Sequence, residues 1–548
     1  MLIISIPYIK PIIFIPFTKK QLQMKLIKIA VLSLFSLTMT AQTADKSFTK
    51  KAPLTENELQ RWSHLDLIKD SIPGMSVDKA YAELLKNKKG TKVIVGVIDS
   101  GVDIDHNDLK SVIWTNKKEI PGNGIDDDKN GYIDDIHGWN FLGESNNENL
   151  ELVRIIKKGD DGSEAYKSAL EDYDKKNDKM LKEKFQVDFI VAADKNVREY
   201  LKKDDYTAED VTGINTTDKK IYQSKMVILS MIEQAGEGFR DEINEYKEYV
   251  YDQANYNLNK EFDGRKPVGD NPEDLKDKKY GNNVVYSKDR KDSLHGTHVA
   301  GIIAQLRGNG LGGDGVASNV EILPVRAVPN GDEYDKDIAL AIRYAVDNGA
   351  KVINGSFGKD YSPHKEWVWD AIKYAESKDV LLVFAAGNDG KDIDVEPSFP
   401  ADTKDKKNEI AKNVLTIGAL DNVYGENMIA DFSNYGQKNV DIFSPGVKIY
   451  ATIPDNKFKY EQGTSMASPN AAGVAALIRS YYPNLKAAQV KQIIMQSGTA
   501  INFDVAVGKD AEKMPFSKTC VSGKIINAYN ALKMADKLSQ KTKKSPKL

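Results

Sequence analysis

Lys92-Val93-Ile94-Val95-Gly96-Val97-Ile98-Asp99-Ser100-Gly101-Val102-Asp103 is a β-branched run that ends on a polar turn. A strand of a parallel sheet reads this way, because helices cover both faces and leave no polar side to alternate. Such a strand emerges at its C-terminal edge near Asp99, the edge at which open α/β sheets bind ligands. Working outward, Val320 to Val328 reads as a strand and Lys336 to Asn348 as a helix. Lys351 to Gly358 is a strand ending in Ser356-Phe357-Gly358, followed by a helix from Trp367 to Ser377. Val380 to Asn388 is a further buried strand, and two more are expected at Val414 to Ala419 and Val440 to Phe443. This βαβ alternation predicts an α/β fold, a mostly parallel sheet between layers of helix.

Two other stretches run from a polar loop into a helix of small residues. One is Ser293-Leu294-His295-Gly296-Thr297-His298-Val299-Ala300-Gly301, the other Gly463-Thr464-Ser465-Met466-Ala467-Ser468-Pro469. Each places a reactive side chain at a helix start, where free backbone N–H groups stabilise negative charge. Ser465 could equally be a capping serine of a core helix. Asp99, His295 and Ser465 are together what acyl transfer needs. Serine is a weak nucleophile until a base takes its proton, and an ionised aspartate orients the imidazole that does so. Asn388, at the same sheet edge, has an amide that can donate to a developing oxyanion together with the backbone N–H of Ser465.

These motifs resemble those of the subtilisin-like (subtilase, S8) serine peptidases of exported bacterial type. Val97 to Val102 is similar to the family's Asp motif, His295 to Gly301 to its His motif, Gly463 to Pro469 to its Ser motif, and Ala386-Gly387-Asn388 to its oxyanion segment. The resemblance implies a subtilisin-like three-layer fold and an endopeptidase whose catalytic residues are Asp99, His295, Ser465 and Asn388. It further implies that Ser356, Phe357 and Gly358 bind substrate, with an extended peptide adding as a strand. Protein or peptide substrates are the implied partners. Asn470 stands where the family usually has histidine, and Gly355 where a larger apolar residue is common, which would loosen the pocket. The stretch before Asp99 is short for a separate prodomain. A catalytically silent subtilase that binds a partner through its insertion is the alternative reading, and an amidase acting on non-protein amides shares the chemistry.

Asn123 to Asp135 carries oxygen ligands at alternate positions with a glycine at the sixth, the opening of a calcium-loop pattern. Asp126, Asp128 and Asn130 would supply side-chain oxygens, Tyr132 a carbonyl, and Asp134 or Asp135 another carboxylate. Position twelve is His137 rather than glutamate, so the pattern is incomplete. Structural Ca²⁺ is the expected cofactor, and a solvated acidic turn is the other reading.

From residue 144 to 283 the composition shifts. Residues 151–290 hold 26 Lys/Arg and 31 Asp/Glu with no Trp, His or Cys. Apolar residues recur at helical spacing, as in Tyr166, Leu170, Tyr173 and in Ile243, Tyr246, Val250, so a charged helical insertion with a small core of its own is expected. It divides the peptidase domain into 43–143 and 284–535, with a basic tail at 536–548. Met24-Lys25-Leu26-Ile27-Lys28 and the apolar run Ile29 to Met39 read as a signal peptide, with 1–42 removed on export to the periplasm or exterior. That run is shorter than the roughly 20 residues of a membrane span, so no stable span is expected. Over 548 residues the formal net charge is −3, which offers no attraction to nucleic acid. A lone cysteine, Cys520, excludes an internal disulfide framework.

Overall fold

The computed structural model describes residues 43–44, 48, 50 and 52–544; the expected signal peptide, 1–42, lies outside the described residues. In chain order the strands are β1 (Thr43–Ala44), β2 (Val93–Asp99), β3 (Trp139–Asn140), β4 (Val320–Arg326), β5 (Val352–Gly355), β6 (Leu381–Ala385), β7 (Val414–Leu420) and β8 (Ile442–Pro445). A hairpin of β9 (Ile449–Ile453) and β10 (Lys457–Glu461) follows, then β11 (Thr499–Ile501), β12 (Asp504–Val507), β13 (Glu512–Pro515) and β14 (Lys524–Ile525). The main sheet runs β1-β11-β14-β8-β7-β6-β5-β2-β4-β3. Pairing is parallel from β8 through to β3, and the β11–β14 pair is antiparallel. The fold is therefore α/β with a mostly parallel sheet.

β2 lies between β4 and β5, so the chain passes over it on its way from one neighbour to the other. That switch opens a crevice at the C-terminal end of β2, where Asp99 stands. The period-2 geometry of the strand sends Val93, Val95 and Val97 into one core layer and Ile94 and Ile98 into the other. Helices complete both layers.

The insertion contributes α1 (Glu151–Lys157), α2 (Glu164–Leu201), α3 (Lys219–Ala235) and α4 (Phe239–Asp252). Beyond it come α5 (Leu294–Ala304), α6 (Asp335–Asp347), α7 (Lys365–Ser377), α8 (Thr464–Tyr481) and α9 (Ala528–Lys544), whose last turns carry the start of the basic tail. Two small cores stabilise the insertion. One joins Val197 of α2, Ile228 of α3 and Phe239 of α4, and the other roots α1 and α2 through Leu152, Val153, Ala169 and Met180. Of the apolar positions marked by helical spacing, Tyr173 packs in the root core and Val250 is buried, whereas Tyr246 is exposed. The helical pattern ends near Asn257, and residues 258–283 run as loop over the α/β core. Arg265 anchors that loop with hydrogen bonds of 2.6 and 2.8 Å to the buried Asp337 carboxylate on α6. Charge pairing, which has no periodicity, holds this part of the chain in place together with Val268, Leu275 and Tyr280, which pack on the core.

Candidate active site

Asp99, at the end of β2, is 1% exposed and accepts from the backbone N–H of Ser100 at 2.8 Å. The same oxygen, Oδ1, lies 2.7 Å from Nδ1 of His295 in the first turn of α5. An ionised carboxylate can only accept, so Nδ1 carries the hydrogen and Nε2 is left with a free lone pair. Burial pulls the His295 pKa down, but the Asp99 charge and hydrogen bond outweigh it and hold it above the ordinary 6.5. The imidazole is still 39% exposed and so borders the cleft. His298, one turn on, is buried with Nε2 3.1 Å from the carbonyl of Lys459, and burial drives its pKa down to about 3. It is a neutral packing residue.

Ser465 is the second residue of α8, and a proline four positions later governs its setting. Pro469 has no N–H to give to the carbonyl of Ser465, which a regular helix would pair at that step. Ser356 supplies the missing donor, its Oγ lying 2.8 Å from the Ser465 oxygen. Ser356 Oγ accepts in turn from Asn354 Nδ2 at 2.9 Å, and Asn354 Oδ1 accepts from Ser468 Oγ at 2.8 Å. The end of β5 and the first turns of α8 are thereby fastened together. The Ser465 hydroxyl donates to the Ser356 carbonyl at 3.3 Å, so the serine–histidine hydrogen bond is not formed in this conformation.

Asn388 follows β6. Its Oδ1 accepts from Thr464 N at 2.8 Å and Thr464 Oγ1 at 2.9 Å, which leaves Nδ2 as the outward donor. Nδ2 and the backbone N of Ser465 converge on Gly463, where an added Cβ would lie 3.4 and 3.5 Å from them. Gly463 has φ +146°, and its missing side chain keeps the space between the two donors open. Beside Ser465 opens a cleft of about 330 Å³ lined by Phe357, Gly358, Gly387, Asn388 and Ser398. The pocket is not loosened at Gly355. A Cβ there would come within 2.7 Å of the Phe384 ring and 2.8 Å of Phe357, so two phenylalanines occupy the volume. Asn470 bonds the carbonyls of Pro445 and Met466, away from these groups.

The acidic loop differs from its spacing pattern. Glu119, Asp126 and Asp128 bring one oxygen each to within 4.8 Å of one another. Asp134 instead accepts the backbone N–H groups of Gly122, Asn123 and Gly124, and Asp135 binds Asn116, Asn130 and Tyr344. Burial raises the Asp135 carboxyl to about 6. Asn130 spends its amide on Asp135 and its Oδ1 on the N–H of Tyr132, whose ring packs against Trp139 and Tyr344. The cluster nonetheless suits a hard cation, since Glu119 Oε2 is buried without a partner among the described residues. Glu119 lies upstream of the repeating pattern, so loop spacing could not mark it. The cleft also holds residues that no motif indicated, Leu150 and Leu152 at the start of α1 and Lys176 of α2.

The profile of the Subtilase family (peptidase S8) matches residues 90–510, and the chain belongs to that family. It is 40% identical over 239 residues to the thermophilic serine proteinase of Bacillus sp. (strain AK1), covering 43% of this chain and 52% of that one. Thermitase of Thermoactinomyces vulgaris is 34% identical over 239 residues, covering 43% and 74%. The cell wall-associated protease of Bacillus subtilis (strain 168) is 39% identical over 222 residues, covering 40% and 23%. The match thus spans about half of the first relative and less than a quarter of the last.

Proposed function

We propose that this chain is an exported serine endopeptidase that cleaves peptide bonds through an acyl-enzyme on Ser465. The observation that carries the reading is the Asp99–His295 contact of 2.7 Å at the sheet edge that also bears Ser465 and Asn388. In the first step Ser465 Oγ turns from the Ser356 carbonyl to His295 Nε2, gives up its proton there and attacks the substrate carbonyl carbon. Asp99 holds the tautomer and offsets the imidazolium charge. Asn388 Nδ2 and the Ser465 N–H stabilise the oxyanion. His295 then hands the proton to the leaving amine, and a water molecule deprotonated by the same nitrogen hydrolyses the ester. Residues 356–358 guide the extended substrate.

We assign structural calcium to Glu119, Asp126 and Asp128, where it supplies positive charge that offsets carboxylate repulsion. Export rests on the basic start and apolar run at 24–42, and a relative described as cell wall-associated, from B. subtilis, is in keeping with it. A fluorophosphonate serine-hydrolase probe tests the central claim. The parent protein should label, and Ser465→Ala should not. Labelling that survives the substitution, or no labelling of a folded parent, would remove the reading.

A further inference from the structure

Part of the cleft wall comes from the insertion, and its acidic component is out of balance. Leu150, Leu152 and Phe357 present apolar surface to it beside Asp332. Asp332 gives one oxygen to the backbone N–H of Glu151 at 2.7 Å. Among the described residues no lysine, arginine or histidine pairs with its carboxylate. The nearby cations are already engaged. Arg154 lies 2.5 Å from Glu151 and donates to the main-chain oxygen of Asp332, while Lys359 lies 2.8 Å from Glu151 and 3.0 Å from Asp335. Glu148 and Glu333 add further carboxyls, so acids outnumber bases around Asp332. Burial pushes the carboxyls of Asp332 and Glu148 up and that of Glu333 up to about 7, and at Asp332 the charges of Arg154 and Lys359 offset that push only in part. At the rim, Lys391 pairs with Asp360 at 2.5 Å and Asp389 at 3.4 Å, and Lys176 lies 3.8 Å from Asp360, so two lysines there meet two carboxylates.

We infer that Leu150, Leu152, Phe357 and Asp332 form a subsite for a lysine or arginine side chain of the peptide substrate. The methylenes of such a side chain lie along the apolar wall while its charged head meets Asp332. The insertion is on this view a specificity element that completes the cleft. The inference rests on the proposed reading of that cleft as the substrate site.

Binding to Ser465→Ala tests it without requiring turnover. Short fluorescent alanine-based peptides would carry a single lysine, norleucine or glutamate at each position in turn. Norleucine matches the lysine stem and lacks its charge. At one position lysine should bind about tenfold tighter than norleucine, the usual scale for one charged contact, and glutamate weakest. Asp332→Asn keeps an oxygen for the Glu151 N–H and should abolish the lysine advantage. Leu150→Ala should weaken lysine and norleucine alike. Equal affinity for the two, persistence of the advantage in Asp332→Asn, or no binding of any peptide would overturn the inference. Lysine-selective binding with no turnover by the parent would uphold this subsite and defeat the peptidase reading; turnover without selectivity would do the reverse.

Discussion

The hydrogen bond by which Ser356 covers the carbonyl freed by Pro469 gives a quantitative test of how Ser465 is held. Ser356→Ala removes the hydroxyl that donates to the Ser465 carbonyl at 2.8 Å. Pro469 cannot replace it, so a partly buried carbonyl is left unpaired, at a cost of about 1–3 kcal/mol. Asn354 Nδ2 also loses its acceptor. In a Pro469→Ala background the backbone N–H at 469 returns and can serve the Ser465 carbonyl within the helix. There Ser356→Ala should cost less, because only the Asn354 contact is lost. That contact is common to both backgrounds and cancels in the cycle. The coupling between the two substitutions should therefore be about 1–2 kcal/mol, the difference between an orphaned and a paired carbonyl. Urea unfolding of the four combinations at 25 °C, all carrying Ser465→Ala to prevent self-digestion, reads it directly, provided the m-values agree. A coupling below about 0.3–0.5 kcal/mol, the scatter of independent sites, would refute the compensation argued here.

Three further outcomes follow. Asp99 raises the His295 pKa above 6.5, so kcat/KM should fall as pH drops through that raised value, and Asp99→Asn should move the inflection down while cutting the rate by orders of magnitude. The charged His295–Asp99 pair contributes stability that is full below the unfolded pKa and disappears as pH rises through the folded one. Glu151 is held down to about 2 by Arg154 and Lys359 in a buried cluster, so Glu151→Gln should cost about 3–5 kcal/mol in urea unfolding at neutral pH; because a depressed carboxylate loses its contribution as pH falls from its ordinary 4.5 towards that value, the deficit should shrink in acid. EDTA should lower the Tm of Ser465→Ala and added Ca²⁺ restore it, with Glu119→Gln shrinking the shift and Asp134→Asn leaving the response to calcium in place.

Asp99, His295 and Ser465 were legible because each sits where a local pattern breaks. A β-branched run stops at one, and polar loops turn into small-residue helices at the others. Such breaks come from backbone sterics and capping, which act over a few residues and so leave a mark in a single sequence. The alternation of strands and helices made the parallel sheet legible for the same reason. Glu119 left no such mark, because it reaches the Asp126–Asp128 loop only through the fold. The role of Asp134 was obscured by the opposite effect. Its spacing matched a ligand pattern, yet three nearby N–H groups claim its carboxylate.

By itself, then, the amino-acid order determined the α/β class and the family resemblance, and it pointed to the candidate reactive residues and to a charged helical stretch. Only the tertiary structure decided that Ser356 covers the carbonyl freed by Pro469, that Phe357 and Phe384 close the space beside Gly355, and that Leu150 and Leu152 wall the cleft beside Asp332. The physical reason is range. Periodicity and caps are set by neighbours along the chain, whereas hydrogen-bond compensation, cavity filling and charge balance depend on groups that only packing brings together.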